Sequence, residues 1–150
     1  MKSLKWWMRG VGSFYALLFV VDAVIKLPVT EMLAGAGISL DQSNLAHRFL
    51  VDTWVMFALE LGVIGLALWY FSSKPYESRA LIWTVLGLEL VRGIVDDIYM
   101  LVRGYEPAFY IGWIVIHTII ILSGLLALRN ASEEALPAPT PAVAEQGSAG

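Results

Sequence analysis

The 150-residue sequence contains no cysteine. This absence excludes disulfides, Fe–S clusters, thiolate metal sites and every thiol–disulfide redox mechanism. Histidine is almost absent as well, and the two histidines leave little for a zinc or copper centre. Thirteen acidic residues against ten basic ones give a net charge of −3, so the composition does not favour binding to nucleic acid.

Charged residues of either sign are scarce. They make up 15% of the chain, whereas 58% of the residues are hydrophobic. Soluble domains have about 25% charged and roughly 45–50% apolar residues. A chain of this length cannot bury so much apolar surface in one core. The composition therefore predicts an integral membrane protein whose first partner is the lipid bilayer.

Four long apolar segments have the length to cross a bilayer, which takes about 20 mainly apolar residues. They cover residues 11–27, 49–71, 80–102 and 108–128. The sequence thus predicts an all-α fold, an integral membrane four-helix bundle formed by residues 1–129. Residues 130–150 are rich in Ala, Pro, Glu and Ser, and they are predicted to form a disordered tail.

Basic residues near the ends of the spans predict the orientation. Six lie on the side that holds both termini and three lie on the opposite side. Cytoplasmic loops are enriched in Lys and Arg, so we expect both termini to be cytoplasmic. The larger set is Lys2, Lys5, Arg9, Lys74, Arg79 and Arg129, and the smaller set is Lys26, Arg48 and Arg103.

Several polar residues fall inside the predicted spans, where an unpaired charge costs about 2.5–3.5 kcal/mol on insertion scales. On an α-helix, the spacing of Glu89, Arg92 and Asp96 places all three on one face. Asp97 points about 100° away and is expected to face the outer interface. The candidates for binding a ligand or a proton are Asp22, Lys26, Asp52, Glu60, Glu89, Arg92, Asp96 and His117.

These residues predict a charged interior that is open toward the outer side. Counted with Arg48 and the outward-facing Asp97, it holds six acids and three bases. In a low dielectric, surplus carboxylates take up protons or bind a cation. Three interpretations stay open. The network handles protons or cations, it binds a small organic molecule such as a quinone, or it only fixes the register of the helices.

No catalytic motif accompanies these residues. The chain has no Gly-x-Ser-x-Gly elbow and no His-Glu-x-x-His pair, so we expect neither an enzyme nor a metal site. A haem-binding pair is not expected either, because His47 lies at the outer surface and His117 near the middle of a span.

Specific residues carry a family resemblance. They are the basic and aromatic run Met1–Arg9, the pair Phe14-Tyr15, the pattern Asp22-x-x-x-Lys26-Leu27-Pro28 and the pair Glu89-x-x-Arg92. Together they resemble the BphX-like family of small bacterial membrane proteins, over residues 1–130. The chain is also similar to the DoxX-type group of four-helix inner-membrane proteins, some of which are subunits of quinone-linked oxidoreductases.

The resemblance implies a bacterial inner-membrane location and a setting in biphenyl and related aromatic catabolism. It therefore favours an accessory protein that supports an aromatic-catabolic or redox system by binding a ligand or a partner. The alternatives are a quinone-interacting subunit of a membrane oxidoreductase and a small proton-coupled transporter of aromatic intermediates. The cofactor is not identified: a quinone is the candidate that the resemblance offers, and no haem, Fe–S cluster or zinc is expected. The candidate protein partners are a membrane or soluble oxidoreductase and, because transport by only four spans favours a dimer, a second copy of the chain.

Overall fold

Helices account for the regular structure of this protein. The computed structural model describes residues 2–24, 31, 34–35, 37, 39, 41 and 43–134. Across those residues the chain forms four long helical runs and no strand, so the all-α prediction is confirmed. Lys26 and residues 135–150 lie outside the described residues.

Two of the four runs contain a π-helical segment. The first run is α1 (Lys2–Phe19) followed directly by a π-helical segment, Val20–Val24. The second run is α2 (Leu45–Phe71). The third run joins α3 (Arg79–Leu88), a second π-helical segment (Glu89–Val95) and α4 (Asp96–Val102). The fourth run is α5 (Pro107–Glu134).

Local side-chain chemistry explains where α2 begins. The side chain of Asn44 caps this helix by accepting a hydrogen bond from the backbone N–H of Ala46, at 2.9 Å. Just upstream, the hydroxyl and the backbone N–H of Ser43 donate to Asp41 Oδ1, at 2.7 and 2.9 Å. These two bonds lower the pKa of the exposed Asp41 carboxyl.

The turn between α4 and α5 uses the residues that such a turn requires. Gly104 follows the end of α4 with a φ of 86°, a left-handed conformation that favours glycine. Pro107 occupies the first position of α5, where its missing N–H costs no hydrogen bond.

The described part of α5 is longer than the sequence predicts. The predicted tail begins at residue 130, whereas the helix continues to Glu134. Ala131 is fully buried, Arg129 Nε pairs with Glu133 Oε1 at 3.0 Å, and Arg79 donates to Ser132 Oγ at 2.9 Å. These contacts stabilise one more turn of helix than composition indicates.

Helix α1 occupies the centre of the arrangement. It packs along α2 on one side and against α5 on another, and the third run packs against α5. The buried core lies at the end of the molecule where α1 begins. Its members are Leu4, Trp7, Met8, Val11, Tyr15, Leu68, Ile82, Val85, Leu86, Ile120, Ala127, Leu128 and Ala131.

Two glycines let α1 and α2 touch through their backbones. A Cβ added at Gly12 would lie 2.9 Å from the carbonyl oxygen of Gly65, and one at Gly65 would lie 2.8 Å from that of Gly12. Both distances are shorter than real Cβ atoms tolerate. This close crossing is typical of small residues at helix interfaces in membranes.

Two of the described helices, α2 and α5, are long and apolar enough to cross a membrane. The first and third runs carry more charge. Three basic residues lie in the first half of α1, and Glu89, Arg92, Asp96 and Asp97 lie in the third run.

The Gly12–Gly65 crossing is tested by Gly12→Ala, with Gly10→Ala as the matched control in the same helix. Nothing lies within 4 Å of a Cβ at Gly10, so that change should leave the protein unaltered or stabilise it by about 0.5–1 kcal/mol. Gly12→Ala should instead lower the free energy of unfolding by about 1–3 kcal/mol, because the backbone of α2 must move to admit the methyl group. Thermal unfolding measures both, and an equal melting temperature for the two variants contradicts the crossing.

Candidate functional site

The carboxylate of Glu89 lies at the centre of a buried group of polar side chains among the described residues. Its residue is 5% exposed, and it lies in the second π-helical segment, facing α1 and α5. The hydroxyl of Tyr15, from α1, donates to Glu89 Oε1. His117 Nδ1, from α5, lies 2.7 Å from Glu89 Oε2. One carboxylate thus joins three helical runs, with a partner for each oxygen.

Asp97 approaches the other nitrogen of the same histidine. The distance from His117 Nε2 to Asp97 Oδ2 is 3.6 Å, which is too long for a hydrogen bond. Asp97 is only 7% exposed, and its Oδ2 has no hydrogen-bond partner among the described residues. A carboxylate oxygen is costly to bury without a hydrogen bond, so Asp97 Oδ2 keeps an unused capacity to accept one. We call Tyr15, Glu89, Asp97 and His117 the Glu89 cluster.

Gly93 makes room for the imidazole. A Cβ at this position would overlap the Cγ, Nδ1 and Cδ2 atoms of His117, so a larger residue cannot occupy it without moving the ring. Trp113, one turn earlier on α5, stacks on the same ring with centroids 5.9 Å apart and an interplanar angle of 30°. The position of His117 is therefore set by Gly93 and Trp113 together.

The second π-helical segment explains why Asp97, and not Asp96, belongs to the cluster. On a regular α-helix Asp96 lies about 20° from Glu89 and Asp97 about 80°. A π-helical turn accommodates one extra residue, which shifts the later residues back by one position. The structure accordingly buries Asp97 and exposes Asp96. The expectation that Asp97 faces the outer interface and Asp96 the interior is wrong.

Glu60 and Arg92 form a separate and exposed pair. Arg92 Nη1 lies 2.7 Å from Glu60 Oε2, and their side chains are 42% and 60% exposed. The guanidinium of Arg92 also lies over the ring of Phe57, at 4.4 Å from its centroid. The predicted single charged interior is therefore two groups, one buried around Glu89 and one exposed between α2 and the third run.

The other predicted site residues lie apart from both groups. Asp22 is buried in the first π-helical segment, where Trp54 Nε1 donates to it at 3.4 Å. Asp52 and Asp96 are exposed. Lys26 falls outside the described residues.

Sequence reasoning misses one member of the Glu89 cluster, Tyr15, and misplaces another, Asp97. Tyr15 is one of several aromatic residues in α1. The sequence pattern of this helix does not indicate that the Tyr15 hydroxyl contacts a carboxylate. Regular α-helical spacing places Asp97 on the wrong face, because it leaves out the extra residue of the π-helical turn. The adjacent acids at 96 and 97 are the one signal that either residue could occupy the buried face.

A row of aromatic side chains leads from the turn before α5 towards His117. Neighbouring ring centroids in this row lie 5.2–6.4 Å apart, in edge-to-face arrangements. Its members are Tyr105, Phe109, Tyr110 and Trp113. A Cβ at Gly35 would lie 3.8 Å from the ring of Phe109, so the described part of the connection between α1 and α2 lies against this row.

The chemistry available to the Glu89 cluster is hydrogen bonding and proton exchange. In the part of the chain that the structure describes, no group of three or more His, Asp or Glu side chains is arranged to hold a metal ion. Two carboxylates, one imidazole and one phenol are present instead. They can accept a donor at Asp97 and pass a proton between His117 and Glu89.

Comparisons with known proteins match this chain to one protein family. The profile of the BphX-like family matches residues 1–133. An uncharacterized BphX-like protein of Burkholderia cepacia is 28% identical over 141 residues, which cover 91% of this chain and 98% of that protein. An uncharacterized BphX-like protein of Paraburkholderia xenovorans strain LB400 matches with the same identity and coverage. No solved structure matches the chain.

The contact between Gly93 and His117 is tested by Gly93→Ala, with Gly87→Ala as the control in the same run. A Cβ at Gly87 meets nothing within 4 Å, so the control should not lose stability. Gly93→Ala should lower the free energy of unfolding by about 1–3 kcal/mol, because the added methyl group displaces the His117 ring at Cγ, where the ring joins the side chain. In a His117→Ala background the added methyl group has space, so the two changes should be coupled by about 0.5–3 kcal/mol. Strictly additive losses in thermal unfolding contradict the contact.

Proposed function

Because the chain belongs to the BphX-like family, we propose that it is a multi-pass protein of the bacterial inner membrane that binds a small hydroxylated aromatic molecule at Asp97. In this proposal the protein is an accessory component without catalytic residues of its own. Its ligand is held by the Glu89 cluster and by the aromatic row that precedes His117.

The exposed surface supports the membrane part of this proposal. Large apolar side chains are exposed along every helical run, among them Leu17, Leu66, Val91 and Leu126. Contiguous apolar surface of this kind requires lipid or protein to cover it. The first and third runs contain 23 and 24 helical residues, which at 1.5 Å per residue give about 35 Å, more than the roughly 30 Å of hydrocarbon. We therefore propose four spans with both termini cytoplasmic.

The main support for a ligand at this site is the buried oxygen of Asp97 that has no hydrogen-bond partner among the described residues. His117 Nε2 and Asp97 Oδ2 are 3.6 Å apart, and Oδ2 is buried from solvent. One hydroxyl oxygen would lie about 2.8 Å from both once the two side chains separate to admit it. That hydroxyl donates its hydrogen to Asp97 and accepts from the imidazole N–H. A ligand without a donor would leave Asp97 as it is.

The aromatic row supports the proposal that the ligand contains an aromatic ring as well as a hydroxyl group. Rings stack and meet edge to face with the side chains of Phe109, Tyr110 and Trp113 at little entropic cost, because these side chains already hold one another. Phenols, catechols and quinols combine such a ring with a hydroxyl donor. This class agrees with the setting in aromatic catabolism that the family resemblance implies.

A second candidate function, a quinone-interacting subunit, is supported by the continuity of the cluster. A quinol hydroxyl bound at Asp97 would lie next to His117, which already contacts Glu89, which accepts from Tyr15. Protons released at Asp97 would therefore have neighbouring groups to receive them. The DoxX-type likeness, which also favours a quinone, stays a prediction.

The ligand proposal is tested by titrating catechol and its dimethyl ether into the protein in lipid nanodiscs, followed by calorimetry. Catechol should bind and its dimethyl ether should not, because the ether lacks a donor. Asp97→Asn should weaken catechol binding about tenfold to hundredfold, the value of a hydrogen bond to a charged group. A short-chain quinol that binds at least tenfold tighter than catechol favours the second candidate function.

Asp96→Asn is the matched control, since it removes the neighbouring exposed carboxylate and should leave catechol binding unchanged. Asp97→Asn should also raise the melting temperature of the ligand-free protein, because an unpartnered buried charge is removed. If neither catechol nor the quinol binds, or if both Asp variants weaken binding equally, Asp97 is not a ligand site. If the changes alter only the melting temperature, the cluster serves to fix helix register.

A further inference from the structure

The exposed pair of Glu60 and Arg92 lies where a membrane protein does not leave charges facing lipid. Arg92 lies thirteen residues after the start of the third run and ten before its end. Glu60 lies fifteen residues after the start of α2 and eleven before its end. Under the four-span arrangement proposed above, on which this inference rests, both charges lie near the middle of the bilayer, where their burial against hydrocarbon is strongly unfavourable.

Apolar residues surround this pair on the same exposed face. Met56 and Val63 flank Glu60 at positions i−4 and i+3 of α2, and they are 62% and 68% exposed. Val95 follows Arg92 at i+3 in the third run and is 53% exposed. Across the described residues few contacts join α2 to the third run, so the face between them is open. We call these five residues the Glu60–Arg92 face.

We propose that the Glu60–Arg92 face is the interface of a homodimer, in which a second copy of this chain covers the pair. A two-fold axis along the membrane normal places both copies at the same depth. Each copy presents one anion and one cation side by side, because the two groups are only 2.7 Å apart. Rotation by 180° therefore sets Glu60 opposite the partner subunit's Arg92, and Arg92 opposite the partner subunit's Glu60.

Charge complementarity favours a second copy over other occupants. The pair has no net charge, so it attracts neither an anionic nor a cationic ligand strongly. It is complementary to another pair of the same kind, in which each charge gains a second opposite neighbour and loses its contact with lipid. The ring of Phe57 lies beneath Arg92 and holds the guanidinium in the position that the interface requires.

Charge reversal in two separately tagged chains tests the interface. Glu60→Arg leaves two cations on the face, and Arg92→Glu leaves two anions. For each variant alone, the ratio of dimer to monomer should therefore fall at least tenfold relative to the unchanged chain. Co-expressed, the two variants should form a heterodimer, because every contact across the interface is then between opposite charges. The pair within each chain stays repulsive, so this rescue can only come from contacts between chains. Native mass spectrometry from lipid nanodiscs measures all four samples.

Single cysteines provide a second measurement that leaves the charges in place. The chain has no cysteine of its own, so each introduced thiol is unique. Met56→Cys, Val63→Cys and Val95→Cys, made one at a time, should give a crosslinked dimer with a short bismaleimide in membranes. The control is Leu122→Cys. Leu122 is 55% exposed on α5 and lies outside the Glu60–Arg92 face, so this variant should give no crosslinked dimer.

Several results would overturn the dimer. They are a monomeric unchanged chain in nanodiscs, single charge reversals that dimerise as well as that chain, no heterodimer on co-expression, or crosslinking at Leu122→Cys alone. A small molecule released from the unchanged monomer, and absent from Arg92→Glu, would make the face a ligand site instead. Failure of the four-span proposal is distinguishable, because Ser73→Cys and Arg103→Cys, which flank the third run, would then be labelled from the same side of the membrane.

Discussion

Three helical runs of this protein depend on one carboxylate. Glu89 accepts from Tyr15 of α1 and contacts His117 of α5, so the side chain of a single residue joins the third run to two others. Inside a low-dielectric interior, loss of that carboxylate would leave a phenol and an imidazole without their partner. Helix α2 does not share this connection. It is held to α1 by backbone contact at Gly12 and Gly65.

Much of the fold could be predicted because apolar runs, turn residues and helix length are local properties of the sequence. The segments predicted as spans, as far as the structure describes them, are helical, and Gly104 and Pro107 mark a turn in both sequence and structure. The end of α5 was not predictable from composition. The change to Ala, Pro and Glu begins at Asn130, but Ala131 is buried by neighbouring helices, which composition does not reveal.

The candidate site was predictable in part. Glu89 and His117 were found because polar residues in the middle of apolar spans are rare. The grouping of the charges was not found. Arg92 follows Glu89 by three residues, yet it reaches Glu60 on the exposed side, while His117 reaches Glu89 through the space left by Gly93. Which charges meet depends on helix crossings and on the π-helical turn, and a single sequence encodes neither in a local pattern.

The π-helical segment Glu89–Val95 also determines how this chain tolerates insertions and deletions. In a regular α-helix, loss of one residue turns everything that follows by about 100° and moves much of its buried face towards the surface. The third run already holds one residue more than regular spacing needs. A one-residue deletion between Glu89 and Asp96 would convert the segment to an α-helix and keep Asp97 on its buried face. Relatives of different length can therefore share this site, provided that the length differs there and not within α2 or α5.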